Sequence, residues 1–196
     1  MCLIKSVRGF TPRLGNDCYL ADTAVIIGDV VAGDLCSFWF NVVVRGDVNS
    51  IRIGNKVNIQ DGTVLHCLYQ RSVIEIGDNV SIGHNVVIHG AKIRANVLIG
   101  MGAVILDNAV IGENSIIAAG SVVLSGTQVE PGSIYGGVPA KRIKDTDPQQ
   151  TVEMINRIAD DYIMYAGWYD TDRGQGTRDK SIPQINFLQY NLLLKE

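Results

Sequence analysis

From Ile76 to Val122 the chain repeats every six residues. Broken at that interval it reads IGDNVS, IGHNVV, IHGAK, IRANVL, IGMGAV, ILDNAV, IGENSI and IAAGSV. Every segment starts with Ile, and the third is one residue short. Gly often holds the second position (Gly77, Gly83, Gly100, Gly112). The fifth is small or β-branched (Val80, Val86, Val97, Ala103, Ala109, Ser115, Ser121). A period of six suits neither an amphipathic helix at 3.6 nor a plain strand at 2. It suits a short strand plus a tight corner, so that three units close one triangular coil of about 18 residues and coils stack as a solenoid. The first residue of each hexad then points inward onto its counterpart one coil away. Gly at the second position relieves a corner where a side chain would be costly.

The period continues upstream through Ile27, Ala32, Phe38 and Val44, and then Ile53, Ile59 and Leu65. The long step from Leu65 to Ile76 reads as one hexad plus an extruded loop, CLYQR (67–71). The step from Val44 to Ile53 holds a smaller bulge. Downstream the pattern ends near Val123, which predicts about five to six coils. The expected fold is an all-β solenoid of residues 1–143, closing in a turn-rich exit, EPGSIYGGVPAKRI (130–143). A helix within 144–170 follows, with Val152, Ile155, Ile158, Ala159 and Tyr162 on one apolar face to lie against the solenoid. Residues 171–196 read as a polar linker and an apolar tail.

Composition narrows the function. Hydrophobic residues make up 46% and charged residues 19%, a core-rich chain. A net charge of −3 sets aside sequence-independent nucleic-acid binding. No apolar run of about 18 residues is present to span a membrane. Four cysteines without a CxxC pair, behind an N-terminus lacking an apolar secretion segment, predict a cytoplasmic protein with free thiols.

All three histidines fall in the repeat. Counting hexads with Val44 on face A puts Ile53 and Ile76 on face B, Ile59 and Ile82 on face C, and Leu65 and Ile88 on face A. Arg45, His66 and His89 then form one outward column on face A, about 4.8 Å apart between coils. Asp61 and His84 form a second column on face C. His66 and His89 can converge on one metal, but His84 is a face away. A threefold homotrimer, with face A of one subunit against face C of the next, brings two histidines and a third in trans together. Such a closed ring needs a heterologous contact of this kind. Three histidines with an open fourth position are the catalytic zinc pattern, and bound zinc lowers the pKa of its water to about 7. Imidazole suits Zn2+ or Fe2+ alike.

The motifs VVVRGD (42–47), NIQDGTVLH (58–66) and IGHNVVIHG (82–90) resemble the gamma-class carbonic anhydrases and their close relatives. YGGVPAKRI (135–143) is similar to the exit motif of the wider hexapeptide-repeat group. The resemblance implies a left-handed parallel β-helix trimer with metal at subunit interfaces and a small substrate such as CO2 or bicarbonate. It implies His66, His84 and His89 as metal ligands and Gln60 and Asp61 as the polar pair beside them, Gln60 helping to place the attacking hydroxide. Arg45 and Asp47 match an ion pair tying neighbouring subunits, the arginine near the bicarbonate site, where a guanidinium can grip a planar anion. Tyr162 matches a helix tyrosine near the metal. The proton-relay glutamates of the archetypal enzyme are replaced by Val48 and by the carboxylate-free loop CLYQR.

Other function classes share the framework. An acyl-CoA acyltransferase would need a histidine base, a role for which the metal assignment leaves no histidine. A thioesterase-type hydrolase would use the same metal-activated water. A non-enzymatic metal-binding trimer would keep the ligands and dispense with the relay. Cys67, beside His66, reads as a buried thiol rather than a fourth ligand.

Overall fold

The computed structural model describes residues 2–171, with side chains through Tyr169. Short parallel strands wind around three faces. Face C carries one strand per turn: Tyr19–Leu20, Ser37–Phe38, Asn58–Ile59, Ser81–Ile82, Leu98–Ile99, Ile116–Ile117 and Ser133–Gly136, in that order, giving seven turns. Faces A and B are joined through two long strands, Val25–Ala32 and Val43–Ile53, which turn from one face to the other without a break. The excess over the expected five to six comes from Arg13–Leu14 and Tyr19–Leu20 at the start and Gln128–Val129 and Ser133–Gly136 at the end. These strands escape the pattern because the hexad-start positions hold Leu14, Leu20, Val129 and Tyr135 in place of Ile.

The inward stacks match the hexad count. Val44, Leu65, Ile88 and Ile105 lie in register and are fully buried, as are Ile59, Ile82, Ile99 and Ile117. Each such side chain contributes about 1.5–3 kcal/mol of burial. One position is off by a residue: Ile26, not Ile27, registers with Val44 and fills the interior, while Ile27 aligns with Arg45 and is half-buried. Ile26 lies a full hexad before Ala32 and Ile27 only five residues before it, so the six-residue interval itself selects Ile26; the extra residues of this strand pair sit in Val43–Ile53.

The second-position glycines have a different reason from the expected corner. A Cβ on Gly100 would lie 2.5 Å from the Ala119 nitrogen, so coils pack too closely there for any side chain. The corner itself falls two residues later, where the chain enters the left-handed region. Asn79, Asn85, Asn96, Asn108 and Asn114 hold those places with φ between 55° and 61°. Asparagine tolerates that conformation better than other side chains do.

The last coil ends in an antiparallel pair, Ser133–Gly136 with Lys141–Asp145. The helix Pro148–Thr171 follows. Asp147 caps it, its Oδ1 accepting from the Gln150 N–H at 3.0 Å, and Pro148 suits the first helical position. Asp147→Ala is expected to cost about 1 kcal/mol, read as a lower urea midpoint. Through Ala166 the helix belongs to the same compact unit as the solenoid. Ile155 and Ala159 bury, and Val152, Ile158 and Tyr162 are half-buried on the same side. Asn79 Nδ2 donates to Asn156 Oδ1 at 2.7 Å, and Lys56 Nζ pairs with Asp160 at 2.6 Å. Tyr162 meets Trp39 edge-on with centroids 5.3 Å apart. The helix thus covers face C, whose outward residues Ser37, Asn58 and Ser81 are buried. The linker and tail expected from 171 onward lie outside the described residues, apart from the last helical residue.

Candidate metal centre

Parallel pairing sets the histidine column. Arg45 registers with His66, and His66 with His89, all on face A. The bulge adds the next group. Gly28 faces Gly46 and Val30 faces Ile51, so residues 47–50 stand opposite Asp29 alone. The extra residues place Asp47 beside the column. Its Oδ2 accepts from Arg45 Nη1 at 2.6 Å and its Oδ1 lies 3.2 Å from His66 Nε2. This Arg45–Asp47 pair is formed within one chain. Burial opposes ionisation of Asp47, but Arg45 and His66 outweigh it and hold the carboxyl below its usual range. For His66, burial and then the Arg45 charge push the pKa down, against the pull of Asp47. That favours neutral imidazole, the form that binds metal.

His89 sits one coil on. Its Nδ1 lies 2.9 Å from Asp107 Oδ2, and its Nε2 lies 3.3 Å from His66 Nδ1. Both carboxylates can only accept, so the neutral rings carry their protons on the outer nitrogens, His66 Nε2 and His89 Nδ1. Two lone pairs then aim at each other across 3.3 Å. Nitrogens bound to one tetrahedral ion at 2.0–2.1 Å stand about 3.3 Å apart, so the donor pair fits a zinc-like cation. A carboxylate behind each ligand ring is the usual support of such a site.

His84 stands on face C and has the same form: its Nδ1 lies 2.9 Å from Asp61 Oδ2, leaving Nε2 as donor atom. Asp61 Oδ1 accepts from the Phe40 N–H at 3.1 Å, which fixes the carboxylate. Among the described residues of one chain, no three His, Cys, Asp or Glu side chains gather around a single point. The chain therefore brings His66 and His89 together and leaves His84 on another face, as the hexad count requires.

Gln60 is buried beside Asp61, with its Nε2 donating to Asn58 Oδ1 at 3.0 Å. Tyr162 packs against Trp39, which directly follows the face-C strand Ser37–Phe38, and against Tyr165. Cys67 is buried with its thiol toward the Ser50 carbonyl, and burial pushes its pKa up to about 11. That agrees with a structural thiol. Val48 is half-buried against the core, and residues 68–71 of the loop are exposed.

Two residues escaped the sequence reading, Asp107 and Ser72. Ser72 Oγ donates to Asp107 Oδ1 at 2.6 Å, and burial of Asp107 is outweighed by this bond and by His89, so its carboxyl stays low. The signal was present in the repeat: Asp107 is the third residue of ILDNAV, one coil beyond the Gly90 that follows His89.

The bacterial transferase hexapeptide (six repeats) family matches residues 90–125. A carbonic anhydrase of Geobacillus kaustophilus is 43% identical over 175 residues, covering 89% of this chain and 95% of that protein. The mitochondrial gamma carbonic anhydrase 2 of Arabidopsis thaliana is 38% identical over 168 residues, covering 83% of this chain and 60% of its own length. The crystal structure of a hexapeptide transferase family protein from Anaplasma phagocytophilum superposes with a TM-score of 0.81 at 34% identity, covering 85% of this chain and 98% of the other. No helix among the described residues is long and apolar enough to cross a membrane. The chain, with its hexad solenoid and its carboxylate-backed histidine column, belongs to the gamma carbonic anhydrase-like family of hexapeptide-repeat proteins.

Proposed function

We propose that the chain is a metal-dependent, gamma-carbonic anhydrase-like protein that hydrates CO2 reversibly at sites shared between subunits of a homotrimer. The observation that carries this reading is the convergence of His66 Nδ1 and His89 Nε2, each ring held from behind by a carboxylate. His84 of a neighbouring subunit would complete the set, its Nε2 left open by the Asp61 contact. Face A also carries an outward column of valines, Val43, Val64, Val87, Val104 and Val122, stacked in register beside the histidines. An apolar stripe of that length suits burial against another subunit. Four free cysteines among the described residues suit a reducing compartment, as the cytoplasm is.

A Zn2+ or Fe2+ ion held by these histidines would supply Lewis acidity and water made acidic enough to ionise near pH 7. The remaining steps fall to the chain. Arg45, partly exposed and oriented by Asp47, offers N–H groups to the bicarbonate anion. Gln60, held by Asn58, places polar atoms beside the reacting oxygen. Asp61 keeps the His84 ring oriented. Tyr162 closes the side of the site nearest the helix. With Val48 and the carboxylate-free loop in place of relay acids, proton export limits turnover. Stopped-flow CO2 hydration on anaerobically purified protein loaded with zinc or iron(II) tests the reading. Hydration above the buffer rate, lost on chelation, is expected; metal-loaded protein without it moves the activity to ester or thioester hydrolysis or to binding alone.

A second reading has its own observation. His84 with Asp61 at 2.9 Å also has the form of an oriented general base, and the matched Anaplasma protein is named a transferase. Saturable acetyl-CoA binding with acyl transfer, lost in His84→Ala and indifferent to chelators, would favour it.

A further inference from the structure

We propose that Asp107, braced by Ser72, is a positioning residue that sets the His89 tautomer and thereby presents Nε2 as a metal donor. This rests on the metal-centre reading above. Three observations carry it. Asp107 Oδ2 lies 2.9 Å from His89 Nδ1, on the ring nitrogen opposite the one facing His66. Its other oxygen is occupied: Ser72 Oγ donates to Oδ1 at 2.6 Å and itself accepts from the Leu68 N–H at 2.9 Å. The hydroxyl thus has a fixed direction, and the carboxylate cannot swing away from the ring. Lastly, Gly90 leaves room for both. A Cβ there would fall 2.0 Å from Ser72 Oγ and 2.4 Å from Asp107 Oδ1, so the bracing pair fills the space a side chain would take.

The elements involved are unrelated in sequence. Ser72 directly follows the extruded loop, Asp107 comes from the coil after His89, and His89 stands between them. The loop is therefore tied to the histidine column through a buried hydroxyl, while its residues 68–71 are exposed. An ionised carboxylate only accepts, so His89 keeps its proton on Nδ1 and its lone pair on Nε2. An asparagine can donate instead, which favours the opposite tautomer and a protonated Nε2 that cannot ligate.

Asp107→Asn tests this in the full-length protein by two measurements. Nitrogen-15 histidine spectra of the metal-free protein in mildly alkaline buffer read the tautomer directly. Wild type is expected to hold His89 as the Nδ1–H form, and D107N to move it toward Nε2–H. Zinc affinity, read by competition with a chromophoric chelator, is expected to fall about 10- to 100-fold in D107N and to recover in part in D107E. An unchanged tautomer and affinity in D107N overturn the proposal. Wild-type protein that takes up no zinc overturns the metal-centre reading instead, and the tautomer spectra still decide the role of Asp107. Should D107N not fold, Ser72→Ala removes only the brace; a weaker zinc affinity is expected, and wild-type affinity would overturn the relay.

Discussion

Alanine at position 89 is expected to abolish stoichiometric metal binding. His89 supplies one of the two nitrogens that converge within a subunit, and removing it leaves His66 facing Asp107 across an empty gap. A site reduced from three imidazoles to two loses most of its affinity, because metal selectivity here rests on ligand number and geometry. The fold should hardly change. The ring projects from face A and is 29% exposed, while the strand is fixed by Ile88, which is fully buried. Elemental analysis after gel filtration should therefore show near one metal per subunit in wild type and almost none in H89A, with metal-free thermal midpoints close together. Metal retained at one per subunit in H89A would remove His89 from the ligand set.

The second large effect concerns the solenoid. Gly100→Ala places a Cβ 2.5 Å from the Ala119 nitrogen and 2.8 Å from the Ala118 carbonyl carbon, both backbone atoms of the next coil. Neither can move without spreading the coils and lengthening the hydrogen bond from Gly100 N to the Ile117 oxygen, now 2.7 Å. Because backbone cannot rotate aside as a side chain can, the cost is expected at or above the upper end of the about 1–3 kcal/mol typical of overpacking. Gly120→Ala is the comparison. It has nothing within 4 Å, only a φ of +68°, so its cost is the left-handed backbone strain of about 1–2 kcal/mol. Chemical denaturation of the two variants should place G100A clearly below G120A. Equal midpoints would mean that coil spacing is not why glycine recurs at the second hexad position.

Most of the frame was legible because a solenoid turns a chemical period into a spatial one. Once Val44, Leu65 and Ile88 are assigned to one inward stack, Arg45, His66 and His89 follow by counting. Three things resisted. The first coil hides because Arg13–Leu14 and Tyr19–Leu20 mark it without an isoleucine. Ile26 and Ile27 are adjacent and equally apolar, and only counting a full hexad back from Ala32 selects Ile26. Asp107 lies outside the histidine motifs, although the same count carried one coil further places its carboxylate behind His89. The roles proposed for Gln60 and Tyr162 involve a neighbouring subunit, which no single-chain period can express.

The central claim is that the three histidines meet only between subunits. Light-scattering mass and metal content should be measured on the same gel-filtration peak, for wild type and for an equimolar mixture of His84→Ala and His66→Ala chains refolded together. Wild type is expected as a trimer with near one metal per subunit. The mixture should recover part of that content, because some interfaces pair an intact His66 and His89 with an intact His84 from the neighbour. Either variant alone should bind almost none. Full metal on a monomer, or no recovery in a mixture that forms trimers, would contradict a site built in trans.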